Sequence, residues 1–163
     1  MALRSDWSED ACPVARSLDI LGDPWNILIL RDVFAGNSRY ETLRDSLNVA
    51  DAVLSKRLAQ LVDAGLLRRE PYAGTTRPRY DYTLTKSGRD TLPILHAMAR
   101  WGDAHLPRTP KMLMYCTRCG KRARSSDWCP TCARPLTVQS TAWRRPAATD
   151  EVIDLSGPST VRR

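Results

Sequence analysis

Histidine, lysine and long apolar runs are all scarce in this chain, and each scarcity removes a class of function. Histidine occurs only at His96 and His105 in 163 residues. Neither belongs to a Ser/His/Asp set, and no paired-carboxylate constellation or glycine-rich phosphate loop is evident. The two histidines read as packing or solvent-facing residues, and the chain as a binding protein without enzyme activity or a catalytic cofactor. No apolar run approaches the roughly 20 residues that cross a bilayer, and the opening MALRSDWSED lacks the charged-then-hydrophobic order of a signal peptide. The expectation is a cytoplasmic protein with no membrane contact. No internal repeat is evident. Lysine is confined to Lys56, Lys86, Lys111 and Lys121, so most of the 25 basic residues are arginine; against 18 acidic residues they leave a formal charge of +7. That balance favours a polyanionic partner. A hydrophobic content of 42% in 163 residues suits one ordinary domain with a small appendage.

The strongest pattern lies between Ser38 and Thr85, where the apolar period changes from helical to alternating. Ser38 and Glu41 form an S-x-x-E capping box, which predicts a helix start at Ser38. Tyr40, Leu43 and Leu47 follow at helical spacing. After the turn Asn48-Val49-Ala50, a second stripe of Leu54, Leu58, Leu61 and Val62 runs to a C-terminal cap at Gly65. Its other face carries Ser55, Lys56, Arg57 and Gln60, donors suited to phosphates and base edges if this helix enters a major groove. An ordinary solvated face would look the same. From Leu66 to Tyr72, and again from Arg79 to Leu84, alternation predicts two strands joined by a loose tip. Arg77 would stand at that tip and Arg79 on the open side, placed to enter a minor groove or clamp phosphate. Helix, turn, helix and hairpin in this order read as a winged helix-turn-helix, mainly α with a small β-hairpin (α+β).

Flanking elements extend this unit. Cys12-Pro13 opens a helix expected to bury Val14, Leu18 and Leu21 and to close at Gly22. Asp23-Pro24 starts a second helix, apolar almost all round from Trp25 to Phe34, which should be central. Gly36 ends it. After the wing, Thr85 is expected to cap a long helix bearing Leu92, Ile94, Leu95, Met98 and Trp101, kinked at Pro93. This apolar surplus either serves a dimer or packs on the first helix. Past Pro135 the chain is rich in Ser, Thr, Pro and Arg, with isolated apolar residues such as Trp143 and Val152-Ile153, and reads as a flexible tail.

Cys116-x-x-Cys119 and Cys129-x-x-Cys132 are two knuckles able to converge on one structural zinc with no open coordination position. Gly120 supplies the tight turn of the first. Two disulfides or a thiol-redox pair are the alternatives, disfavoured in a reducing compartment. The odd thiol, Cys12, sits at a helix N-terminus near Arg16, where the thiolate is favoured. It reads either as a redox or electrophile sensor or as a small buried hydrophobe.

From Cys12 to Leu106 the chain resembles the HxlR-type winged-helix transcription regulators. The residues that carry the resemblance are Cys12-Pro13-Val14-Ala15, Gly22-Asp23-Pro24-Trp25, Ile29-Leu30-Arg31, Leu54-Ser55-Lys56-Arg57-Leu58, Gly65-Leu66, Arg79-Tyr80-Asp81-Tyr82, Leu84-Thr85, Gly88 and Trp101-Gly102. The resemblance implies a homodimeric one-component repressor or activator whose first and last helices make the dimer. In part of that family a cysteine at the position of Cys12 reports quinones, aldehydes or oxidants. One departure stands out: Ala50-Asp51 occupies the start of the recognition helix, where many members carry serine followed by a basic residue. Asp51 weakens phosphate attraction there or reads a cytosine amino group.

The resulting expectation is an N-terminal segment (1–10), a winged helix-turn-helix and dimerisation domain (11–107), a zinc-ribbon-like segment (111–138) and a flexible tail (139–163). The expected partners are double-stranded DNA bearing a pseudo-palindromic operator, a second copy of the chain, and a small-molecule or thiol-reactive inducer. Ser38, Arg39, Asp51, Ser55, Lys56, Arg57, Gln60, Arg77 and Arg79 are the candidate DNA contacts. Two other readings remain open: a zinc-ribbon interaction or assembly factor whose winged domain binds protein, and a C-x-x-C redox enzyme.

Overall fold

The computed structural model describes residues 6–72, 79–106, 112–144 and 152–157. They fall into two units. The first joins the described residues up to Val33 with Ser38–Thr85; the second joins Phe34–Asn37 with the described residues from Lys86 onward.

The helices are α1 (Pro13–Leu21), α2 (Pro24–Phe34), α3 (Tyr40–Leu47) and α4 (Asp51–Asp63), followed by an antiparallel hairpin of β1 (Leu67–Tyr72) and β2 (Arg79–Leu84). Pro13 occupies the first turn of α1, where its missing N–H costs nothing. Gly22 caps that helix through its N–H on the Leu18 carbonyl at 2.8 Å, and a Cβ there would fall 2.4 Å from that oxygen. The expected burial of α1 is not observed: Val14 is 63% and Leu18 45% exposed, and no residue of the helix is buried. Among the described residues nothing buries Val14 or Leu18.

In α2, Asp23 Oδ1 accepts the Trp25 N–H at 2.9 Å, the expected N-cap. Ile29, Leu30 and Val33 are buried, as an all-round apolar helix requires. Asp32 is wholly buried, accepting the Arg31 Nε–H at 2.8 Å and the Ser46 hydroxyl at 2.5 Å, which ties α2 to α3.

The capping box predicted for α3 does not form. Ser38 Oγ donates to Asp81 Oδ1 at 2.9 Å, its carbonyl accepts the Tyr82 N–H at 2.7 Å, and α3 begins at Tyr40 after an extended Arg39. A charge-assisted bond to a carboxylate fixed on β2 outcompetes the local backbone partner. Helix α4 follows the sequence closely: Leu54, Leu58 and Leu61 are buried, and Gly65, at φ 73°, lets the Leu66 N–H return to the Leu61 carbonyl at 2.9 Å. In the hairpin, register runs from Leu67 opposite Leu84 to Tyr72 opposite Arg79.

The second unit contains α5 (Lys86–Arg89), α6 (Leu92–His105), β3 (Leu113–Cys116), β4 (Trp128–Cys129), β5 (Arg134–Pro135), a 3-10 turn at Val138–Ser140, β6 (Thr141–Arg144) and β7 (Val152–Asp154). The single kinked helix expected after the wing is two helices. Thr85 directly precedes the first of them and donates its hydroxyl to the Gly65 carbonyl at 2.6 Å, and the chain breaks at Asp90-Thr91. Pro93 therefore lies in the first turn of α6, where no backbone donor is lost.

The expected flexible tail is also corrected. Strand β6 is the middle strand of an antiparallel sheet ordered β3-β6-β7, with Trp143 opposite both Met114 and Ile153. Trp143 is completely buried, against Phe34 with ring centroids 5.8 Å apart. Its indole N–H donates to His96 Nε2 at 2.9 Å, while His96 Nδ1 meets the Ser126 carbonyl at 2.8 Å. Because Nε2 accepts, the ring is neutral with its proton on Nδ1. Burial lowers the His96 pKa below its ordinary value, partly countered by the Ser126 hydrogen bond. This bridge joins α6, the ribbon and β6 in one core.

Candidate nucleic-acid interface and metal centre

Asp51, Ala52, Ser55, Lys56 and Ala59 are all exposed along α4 and repeat at helical spacing on the side away from Leu54, Leu58 and Leu61. Lys56 forms no ion pair among the described residues. Ser55 Oγ lies 3.0 Å from the Tyr40 hydroxyl, which donates to the Asp51 carbonyl at 3.0 Å. The N-terminus of α4 is thus pinned to α3. Arg44 approaches the Asp51 carboxylate at 3.8 Å, partly neutralising the acid that stands at this end. On the hairpin side, Arg39 lies 3.7 Å from Asp81 and Arg79 3.9 Å from Glu41, both about half exposed.

Three candidates are committed elsewhere. Ser38 is buried on Asp81, as described above. Arg57 makes a 2.6 Å ion pair with Asp23, with both side chains less than one-fifth exposed, and donates to Gln60 Oε1 at 3.1 Å. Arg57 therefore locks α4 to the start of α2, and Gln60 Oε1 is engaged by it. Arg77 lies outside the described residues, as does the rest of the wing tip, 73–78.

The four paired cysteines converge. Their sulfurs all lie within 4.8 Å of one another, with Cys116 to Cys132 at 3.8 Å and Cys119 to Cys129 at 3.7 Å. A tetrahedral zinc with bonds of about 2.3 Å spaces its sulfurs by about 3.8 Å, whereas a disulfide needs about 2.05 Å. The cluster therefore fits a metal ion of zinc's size and not two disulfides. Cys116 ends β3 and Cys129 ends β4, so each knuckle hangs from a strand. The Gly120 N–H reaches the Cys116 carbonyl at 2.8 Å, with Gly120 at φ 69°. Ala133 follows the second pair at the same relative position and also turns left-handed, at φ 48°. Glycine announces such a turn in the sequence and alanine does not, although both follow a C-x-x-C. The Cys129 thiol is brought down to about 7, first by the backbone hydrogen bond from Cys132. Cys132 is pushed up, chiefly through Cys119. A cation among these sulfurs would replace that mutual opposition with attraction for all four thiolates.

Cys12 is exposed, which removes the reading of it as a buried hydrophobe. Its N–H donates to Asp10 Oδ1 at 2.7 Å, while Arg16 turns its guanidinium to the Asp10 and Ala11 carbonyls. Arg16 is therefore engaged by the backbone ahead of the helix.

The model of the family described as HxlR-like helix-turn-helix matches residues 20–110. The chain belongs to this family. Among its relatives is a helix-turn-helix transcriptional regulator of Mycobacterium tuberculosis strain H37Rv, 35% identical over 129 residues that cover 78% of this chain and 81% of that protein. The crystal structure of PA1607, a transcription factor, superposes with a TM-score of 0.68 at 30% identity over 82% of this chain and 94% of its own. The oxidised form of the redox regulator HypR superposes with a TM-score of 0.53 at 29% identity, covering 61% of this chain and all of that one. This HxlR-like protein is accordingly a winged helix-turn-helix transcriptional regulator, with α4 as its second helix and β1–β2 as its wing. No helix among its described residues is long and apolar enough to cross a membrane.

Proposed function

We propose that this HxlR-like regulator acts as a homodimer on a pseudo-palindromic DNA operator, holds one structural zinc between its four cysteines, and changes operator affinity in response to a small-molecule or thiol-reactive signal. The observation that carries the reading is the exposed Asp51–Ala59 face of α4. It is narrow, small-residued around Lys56 and Ser55, and unoccupied by any other described element. Small side chains let a helix backbone approach base edges, while Lys56, Arg39, Arg79 and Arg77 supply phosphate contacts around it. Zinc is supported by the tetrahedral spacing of the sulfurs. Dimerisation is supported by two unpacked apolar faces, Val14 and Leu18 on α1 and Ile94, Met98 and Trp101 on α6. The exposure of Cys12, together with its likeness in fold to a redox regulator, supports a thiol-reactive input.

The test separates reading from folding. Lys56→Ala should weaken operator binding by about tenfold and lower the salt slope by about one, with dimer and zinc content unchanged. Loss of the dimer in that variant would show that α4 is an oligomer contact and not the reading face. If Cys12→Ser still releases DNA on treatment with a thiol-reactive inducer, the signal enters elsewhere.

A further inference from the structure

A cleft of about 370 Å³ opens within the second unit, and its lining is chemically one-sided. Arg100, Arg122 and Arg124 converge on it, with Asp103 as the single opposing charge; Met112, Met114 and Ala123 supply apolar surface. Among the described residues none of these three arginines makes an ion pair or a side-chain hydrogen bond. Three exposed arginines without a described ion-pair partner raise the positive potential of this concavity, which attracts an anion to it. The floor is well built: Met114 and Ala123 are 4% and 5% exposed, and the Ala123 N–H donates to the Met114 carbonyl at 2.8 Å. The same pairing continues into the first knuckle, where the Cys116 N–H reaches the Lys121 carbonyl at 2.9 Å. The metal knuckle therefore sets the wall that carries Arg122 and Arg124.

We propose that this cleft binds a small organic acid, whose carboxylate is held by Arg100, Arg122 and Arg124 and whose apolar body lies over Met112 and Met114. Guanidinium forks match carboxylate geometry, and methionine adapts to varied apolar shapes. The volume falls at the lower end of small-molecule sites and equals about twelve waters at about 30 Å³ each. It therefore accommodates one ring or a short chain. Asp103 favours a ligand that also carries an O–H or N–H donor and disfavours a polyanion. On α6 the cleft residues Arg100, Asp103 and Ala104 lie on a different face from Ile94, Met98 and Trp101, so a dimer formed through the latter leaves the cleft open.

The test is calorimetric titration of the zinc-loaded full chain, without DNA, with 4-hydroxybenzoate, its neutral amide and inorganic phosphate. Working without DNA keeps the failure of this site distinct from any failure of the operator reading. Saturable binding of 4-hydroxybenzoate with a dissociation constant of about 1 mM or tighter is expected, with the amide and phosphate weaker by roughly tenfold or more. Arg122→Gln with Arg124→Gln should abolish it while leaving zinc content unchanged; if that double variant misfolds, Arg124→Gln alone should weaken binding measurably. No saturable binding, equal binding of the amide or phosphate, or binding unaffected by these substitutions each overturns the proposal. Loss of duplex affinity in the arginine variants, with no acid bound by the wild type, would show instead that the cleft contacts nucleic-acid phosphate.

Discussion

Trp143→Phe separates the hydrogen bond of the C-terminal core from its apolar packing. Phenylalanine keeps an aromatic ring between Phe34 and the sheet but removes the N–H that donates to His96 Nε2 at 2.9 Å. His96 is fully buried, so its Nε2 lone pair would be left without a partner, a cost of about 1–3 kcal/mol. The smaller ring adds a cavity term, bringing the expected loss to about 2–4 kcal/mol. At about 2–4 °C per kcal/mol for a chain of this size, the midpoint should fall by about 4–16 °C. Thermal unfolding followed by tryptophan fluorescence and by zinc release would read it. The pH dependence adds a second check. Burial lowers the folded pKa of His96, so below its ordinary value near 6.5 the unfolded chain binds more protons than the folded one. The stability contributed by neutral His96 is thus complete above that pH and is lost as pH falls toward the folded value. Trp143→Phe should flatten this loss. A variant within about 0.5 kcal/mol of wild type, with unchanged pH dependence, would refute the claim that β6 is part of the core.

Three further outcomes follow from the same structure. Arg57→Ala should cost about 2–4 kcal/mol in stability because it strands the shielded Asp23 carboxylate, whereas Lys56→Ala should change stability by less than about 0.5 kcal/mol; thermal melts of the two variants distinguish them. Ala133→Gly should raise stability by about 0.5–1 kcal/mol by relieving a left-handed alanine, read as a higher urea midpoint at constant zinc occupancy. Elemental analysis should find one zinc per chain, and a chelator should lower the midpoint and expose Trp143 fluorescence; zinc should also leave as pH falls, because protons compete for the thiolates.

What could be read from the sequence, and what could not, follows from the range of the interactions. Helices α2 and α4 and both wing strands were legible because each carries its own period and its own stop signal: Asp23-Pro24, Gly65, and the alternation through Tyr80 and Tyr82. The four-cysteine cluster was legible because C-x-x-C spacing is a local statement. The choices of Ser38 and Arg57 were not, because their partners, Asp81 and Asp23, lie far away in sequence and win over the local alternatives. Strands β6 and β7 are four and three residues long, too short for a period to stand out among Ser, Thr and Pro. Trp143 was the remaining signal there, since a large indole is seldom left in a solvated tail. The apolar stripe of α1 was legible as a stripe but not as exposed, because its periodicity states which residues share a face and not what covers it.

Fluorescence-anisotropy titration of the reduced, zinc-loaded protein against duplex from its own upstream region and against a scrambled duplex, at several salt concentrations, tests the central claim most directly. Preference for the upstream duplex by about a thousandfold or more is expected, with affinity falling steeply as salt rises. Equal, weak and salt-insensitive binding to the two would contradict it and point to a winged domain that meets protein.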